Sequence, residues 1–158
     1  MGAVYGREVV TSIVQPEVSS SGSLTISASD SVFGDSWKGH EKSLVVVYQH
    51  QGYDPRTVVT MEGQTLHVSP RNPGCNQNPK YPLSYLNILG AAYGLADVTH
   101  QVQQMVQNGS LTVVASNSVF GDAWCKVEKT LTVVYQYGTE PYQTEFVTEG
   151  ETLSISPP

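Results

Sequence analysis

The chain has only two cysteines, Cys75 and Cys125, in 158 residues, which excludes a dense disulfide framework. Charge is sparse too. Charged residues make up 14%, and 14 Asp and Glu against 8 Lys and Arg leave a net charge of −6. Nucleic acids and anionic membrane faces are gripped by clustered Lys and Arg, so neither is expected as the main partner. No apolar run approaches the roughly 20 residues of a membrane span, and a chain without membrane insertion is expected. Met1-Gly2-Ala3-Val4-Tyr5 offers neither a basic n-region nor an apolar h-region, so no secretory signal is read there. A cytoplasmic location is expected, with non-classical release left open. What is abundant is Val, Ser, Thr, Tyr and Gly, a composition that favours β structure.

The sequence reads as one unit written twice. Ser31-Val32-Phe33-Gly34-Asp35 recurs as Ser118-Val119-Phe120-Gly121-Asp122, an offset of 87 residues. The same offset carries Glu41-Lys42 onto Glu128-Lys129, Val46-Val47-Tyr48-Gln49 onto Val133-Val134-Tyr135-Gln136, and Glu62-Gly63 onto Glu149-Gly150. Upstream, Tyr5-Gly6 matches Tyr93-Gly94 with one residue gained. Two copies are too few for a solenoid. Two domains are expected, repeat 1 at 1–70 and repeat 2 at 88–158, joined by a Pro/Asn-rich linker at 71–87. A domain this small buries only about 60% of its unfolded surface, so each half is expected to be modestly stable and to lean on the other.

Residues 44–48 and 131–135 are β-branched and aromatic and predict strands, as do 24–29 and 111–116. Residues 57–60 and 144–148 lead into the Glu-Gly pairs and then Thr65–Val68 and Thr152–Ile155, which reads as a hairpin. Val98, Val102, Met105 and Val106 fall on one helical face. They predict a helix over 97–107, capped by Asp97 and ended by Asn108-Gly109. Pro16 predicts a shorter helix in the first unit. The fold class is α+β, mostly β: two tandem domains of antiparallel strands, each with a short helix after the Tyr-Gly pair.

The run Ser116-Asn117-Ser118-Val119-Phe120-Gly121-Asp122, with Lys129 following and then a strand ending in Tyr135, resembles a known module. It is similar to the rhamnose- and galactose-binding lectin domain of the sea-urchin-egg-lectin type, which latrophilins also carry. A weaker related pattern occurs at the C-terminus of some DnaJ-type co-chaperones. The resemblance implies a sugar site at Tyr5, Asp35, Gly39, Lys42 and Glu62 in repeat 1, and at Tyr93, Asp122, Lys129 and Glu149 in repeat 2. The place of Gly39 is taken by Lys126 in the second unit, whose side chain is expected to hinder a backbone contact there. The family's Glu-Gly stretch opens its domain, whereas here it follows the core of each unit. The unit therefore reads as circularly permuted, which requires Glu62 and Glu149 to lie beside Lys42 and Lys129. Family domains are stapled by disulfides; here Trp37 and Trp124 stand where the cysteine after the Asp-Pro pair would be, and a hydrophobic plug is expected to replace it.

Carboxylates and a cationic donor on adjacent hydroxyls are what a sugar site needs, because charge-assisted hydrogen bonds are the stronger ones. Each residue also has a plainer role. Tyr5 and Tyr93 suit a core, Asp35 and Asp122 after Gly suit turns, Lys42 and Lys129 suit solvated strand edges, and Glu62 and Glu149 suit hairpin turns. Other chemistries have less support. His40, His50, His67 and His100 lack metal-ligand spacing, and Asp30, Gly34 and Asp35 make no calcium loop. There is no nucleophile elbow and no phosphate-binding Gly-rich loop. Cys125 and Cys75 are expected as free thiols, with a bridge between them the alternative, and Asn108-Gly109-Ser110 as a turn rather than a glycosylated site. The expected function is non-catalytic: a tandem-repeat lectin for L-rhamnose- or D-galactose-like glycans, without metal or cofactor, defensive in role. The alternative is a structural or protein-interaction module that kept the fold without the sugar. A homo-oligomer is left open.

Overall fold

A computed structural model describes residues 1–69 and 86–157. Most of the expected linker, and Cys75 with it, lies outside the described residues. Leu86 and Asn87, expected in the linker, instead open a strand.

Repeat 1 runs β1 (Gly2–Tyr5), β2 (Glu8–Val9), α1 (Thr11–Val14), β3 (Leu24–Ser27), α2 (Asp30–Phe33), β4 (Ser43–Tyr48), β5 (Arg56–Met61) and β6 (Thr65–Val68). Repeat 2 runs β7 (Leu86–Tyr93), β8 (Ala96–Asp97), α3 (Thr99–Met105), β9 (Leu111–Val114), α4 (Asn117–Phe120), β10 (Thr130–Tyr137), β11 (Gln143–Thr148) and β12 (Thr152–Ile155). The chain is α+β and mostly β. Each repeat has a four-stranded antiparallel sheet, ordered β2-β1-β4-β5 or β8-β7-β10-β11, and a two-stranded one, β3-β6 or β9-β12. Among the described residues no helix is long and apolar enough to cross a membrane.

The expected hairpin at the Glu-Gly pair does not form. β5 pairs with β4, and β6 pairs with β3, so Glu62-Gly63 is a corner where the chain leaves one sheet for the other. Glu149-Gly150 turns the same corner between β11 and β12. The helix after the Tyr-Gly pair is shorter than expected. In α3 the N-cap is Val98 rather than Asp97, and the helix stops at Met105. Asp97 instead accepts hydrogen bonds from the Thr99 backbone N–H (2.9 Å) and hydroxyl (2.6 Å). Asn108-Gly109 forms a separate reversal, with positive φ at both residues and Gln107 paired to Ser110. The apolar face itself is as expected: Val98 and Val102 are buried, with Met105 and Val106 packed against them. In repeat 1 Pro16 follows α1 in a 3-10 turn. Two further helical turns, α2 and α4, occupy the Ser-Val-Phe runs.

Each core lies between the four-stranded sheet and the smaller sheet with its helices. Tyr5, Val14, Leu24, Phe33, Leu44, Val46 and Leu66 fill the first, and Tyr93, Val102, Leu111, Phe120, Leu131, Val133 and Leu153 the second. The other faces of the two large sheets meet each other. Leu44 and Val46 point into their own core, so the alternate Val47 points outward, where it meets Leu89 and Val134 of repeat 2. Burial on both faces explains why the strand reads as an unbroken apolar run rather than an alternating one. The contacts are reciprocal: Gly2 lies under Val134 and Thr144, and Gly90 under Val47 and Thr57. Such a pattern is that of an isologous two-fold interface. The halves do lean on each other.

Candidate functional site

Lys42 is the last residue before β4, and alternation along the strand puts it on the same face as Leu44 and Val46. Its side chain is 3% exposed, with its stem over Gly6. The ammonium lies 3.1 Å from Asp35, 3.3 Å from Asp30 and 3.3 Å from Glu62, and donates to the His40 carbonyl at 3.2 Å. Glu62 reaches it because the corner is clamped: the Glu62 N–H donates to the Lys42 carbonyl (2.8 Å), and the Lys42 N–H donates to Glu62 Oε2 (3.1 Å). Asp35 arrives from the loop after α2, and Asp30 from its first turn. Tyr5 donates its hydroxyl to Asp30 Oδ1 at 3.0 Å, and its ring lies against Phe33.

Repeat 2 builds the same arrangement. Lys129, 2% exposed, lies 3.0 Å from Asp122 and 3.3 Å from Glu149, and donates to the carbonyls of Val127 (2.8 Å) and Trp124 (3.3 Å). Tyr93 donates to Asn117 Oδ1 at 3.1 Å. The difference is one charge. Asn117 stands where repeat 1 has Asp30, so three carboxylates surround Lys42 and two surround Lys129. Both Glu-Gly stretches lie beside the lysine of their own repeat.

The solvated-edge role of the lysines does not hold, since both are buried. The role of direct cationic donor fares no better, because the acceptors around each ammonium already match or exceed its three protons. Tyr5 and Tyr93 are fully buried and present no ring face to a ligand. Burial pushes both phenols well above their ordinary pKa, helped at Tyr5 by its hydrogen bond to Asp30 and at Tyr93 by the charge of Glu149. What each site offers outward is carboxylate oxygen. Asp30, Asp35 and Glu62 are 37%, 33% and 31% exposed, and Asp122 and Glu149 37% and 25%. Asp30 and Asn117 are not among the site residues expected from the sequence, although each immediately precedes the Ser-Val-Phe-Gly-Asp run that marks the repeat.

Gly39 sits in the exposed loop before Lys42 with φ +78°, and Lys126 adopts nearly the same backbone at φ +64°. The substitution therefore preserves the turn that brings the Val127 carbonyl to Lys129. A left-handed backbone costs a non-glycine residue about 1–2 kcal/mol, and glycine's extra freedom in the unfolded chain offsets about 0.5–1 of it. Lys126→Gly is expected to stabilise the protein by about 0.5–1 kcal/mol in urea unfolding; a loss of stability would show that the lysine side chain has a role in the loop.

At the expected plug, Trp37 is 8% exposed, stacked on His40 at 4.7 Å and 11°, with the Arg7 guanidinium 5.7 Å from its ring. Trp124 is only half-buried, and Cys125 beside it is a free, exposed thiol. The two sites are joined across the repeats: Ser43 donates to the Gly94 carbonyl at 3.3 Å, and His40 lies 3.2 Å from Glu128. Compared with known protein families, with curated proteins and with solved structures, the chain matches none.

Proposed function

We propose that the chain is a non-catalytic carbohydrate-binding protein, a tandem-repeat lectin for neutral glycans of the L-rhamnose or D-galactose kind. The observation that carries this is the carboxylate bowl built twice around a buried lysine. The lysine fixes the carboxylates from below, and their outer oxygens are left to accept from vicinal hydroxyls. Sites holding three carboxylates against one ammonium, or two against one, carry net negative charge. They repel sialylated or sulfated glycans and tolerate neutral ones. Single open sites bind weakly; two on one chain gain avidity on multivalent glycans. A chain with two cysteines and a buried Trp37 suits a reducing compartment such as the cytoplasm, where foreign glycans arrive on ingestion or damage, hence a defensive role. A second reading, a scaffold for a protein partner, is favoured by the full burial of Tyr5 and Tyr93, which leaves no aromatic platform.

A glycan array followed by calorimetry with L-rhamnose and D-galactose separates the two. Asp35→Asn and Asp122→Asn are the variants of choice, since each keeps shape and leaves the lysine a carboxylate partner. Each single variant is expected to halve the stoichiometry, and the double variant to abolish binding. Unchanged binding in the double variant moves the site elsewhere, and silence of the unaltered protein on every glycan favours the scaffold.

A further inference from the structure

The two carboxylate bowls lie at the same end of the molecule. Across the seam between the large sheets Gly90 lies against Val47, while the Gly94 carbonyl accepts from Ser43 at 3.3 Å. Strand β7 therefore runs antiparallel to β4 across the seam, and it ends where β4 begins. Strand β10 is the antiparallel neighbour of β7, with Leu131 opposite Tyr93, so β10 begins at that end too. Lys42 immediately precedes β4 and Lys129 immediately precedes β10. The loops before them touch, His40 Nε2 lying 3.2 Å from Glu128. The opposite end of the sheets, where Tyr142 donates to Gln49 at 3.3 Å, is remote from both bowls.

We propose that the two sites act as one bivalent face, which grips neighbouring sugars on a single surface and does not bridge two surfaces. This rests on the lectin reading above and adds to it the form of the partner: a dense coat of terminal neutral sugars rather than an isolated glycan. Stacked sheets pack about 10 Å apart and each lysine points away from the seam into its own core, so the bowls stand on the order of 20 Å apart. That spacing is set by packing, since Val47, Leu89 and Val134 are buried between the sheets and Gly2 and Gly90 let the backbones approach closely. Once one site is filled, the second binding event is intramolecular wherever the coat offers a sugar at the matching distance, and the gain vanishes where it does not. Sites at opposite ends of a chain reach two surfaces; sites at one end reach only one.

Sensor surfaces coated with L-rhamnose or D-galactose at graded densities test this with the full chain. The unaltered protein is expected to leave a dense coat at least about tenfold more slowly than a sparse one. Asp122→Asn, which keeps one site, is expected to leave both at the same rate. Beads carrying the dense coat are expected to stay dispersed in the monomeric protein. Clumping of the beads by the monomer would overturn the shared face, as would dissociation indifferent to coat density while calorimetry still records binding of the free sugar. Density dependence that survives in Asp122→Asn would overturn it as well. All three outcomes leave the lectin reading standing. Absence of binding to either sugar, in calorimetry and on every coat, overturns the lectin reading itself and the shared face with it.

Discussion

Lys42→Met is expected to lower the unfolding free energy by about 3 kcal/mol at pH 7, because it removes one partner of a buried ion cluster and strands the others. Methionine keeps the length and apolar volume of the lysine stem over Gly6, so the loss is chiefly electrostatic. Three carboxylates then face one another without a cation. Each is about a third exposed, so water returns to them and the cost stays at the low end of the usual 3–5 kcal/mol range. Lys129→Met strands two carboxylates rather than three and is expected to cost less.

The pH dependence separates charge from packing. In Lys42→Met, acidification from pH 7 towards pH 4 protonates the mutually repelling carboxylates, so the deficit relative to the unaltered protein should shrink. A packing defect would leave the alkaline limb of the stability curve unchanged, whereas loss of the buried charge alters it. Burial alone pulls the Lys42 ammonium down, but its hydrogen bonds to Asp35, Asp30 and Glu62 outweigh that and hold it above its ordinary value. Tyr5 is raised by burial and by Asp30. Both keep in the folded state a proton that the unfolded chain releases from about pH 10. Their stabilisation is complete below that pH and is lost as the pH climbs through the folded-state values. Lys42→Met should flatten the lysine share of this alkaline decline. A deficit under about 1 kcal/mol, unchanged by pH, would mean that the cluster adds nothing to the fold.

The strands and the helical face of Val98 and Val102 were legible because side-chain period follows backbone period. The Glu-Gly corner was not. A turn residue says that the chain reverses, but not which sheet receives the next strand, and β6 finds β3 across the core rather than β5 beside it. The fate of Lys42 was half legible. Counting back by twos from Val46 and Leu44 puts it on the core face, yet a lysine before a strand more often ends an edge, and its three carboxylates come from segments up to 20 residues away. Nor does the run Val45-Val46-Val47 reveal what covers its second face, because the cover is the other repeat. Gly2 and Gly90 carried that information. A glycine inside a strand weakens it and marks a close backbone approach, but the approaching partner is visible only in the fold.

Gly90 gives a prediction in which two effects oppose each other. In an ordinary strand, Gly→Ala gains about 0.5–1 kcal/mol because glycine loses more freedom on folding. At Gly90 a Cβ would stand 2.6 and 2.7 Å from the Val47 methyls and closer still to Thr57 Oγ1. Neither neighbour yields easily. Val47 is 2% exposed and β-branched, with a stiff χ1, and the Thr57 hydroxyl shares a hydrogen bond with Thr99 at 3.1 Å. Overpacking of this kind costs about 1–3 kcal/mol and occasionally more, so Gly90→Ala is expected to destabilise by about 2 kcal/mol net. Gly2→Ala, whose Cβ would meet Thr144 and Val134 at 2.7–2.9 Å, should cost less. Denaturant unfolding of Gly90→Ala, Val47→Ala and the pair checks the cause as well as the size. Val47→Ala alone leaves a cavity, while together the new methyl occupies the space the valine vacates, so the pair should lose less than the two single losses combined. A neutral or stabilising Gly90→Ala would mean that the sheets part freely, and that the two repeats fold as neighbours rather than as one packed body.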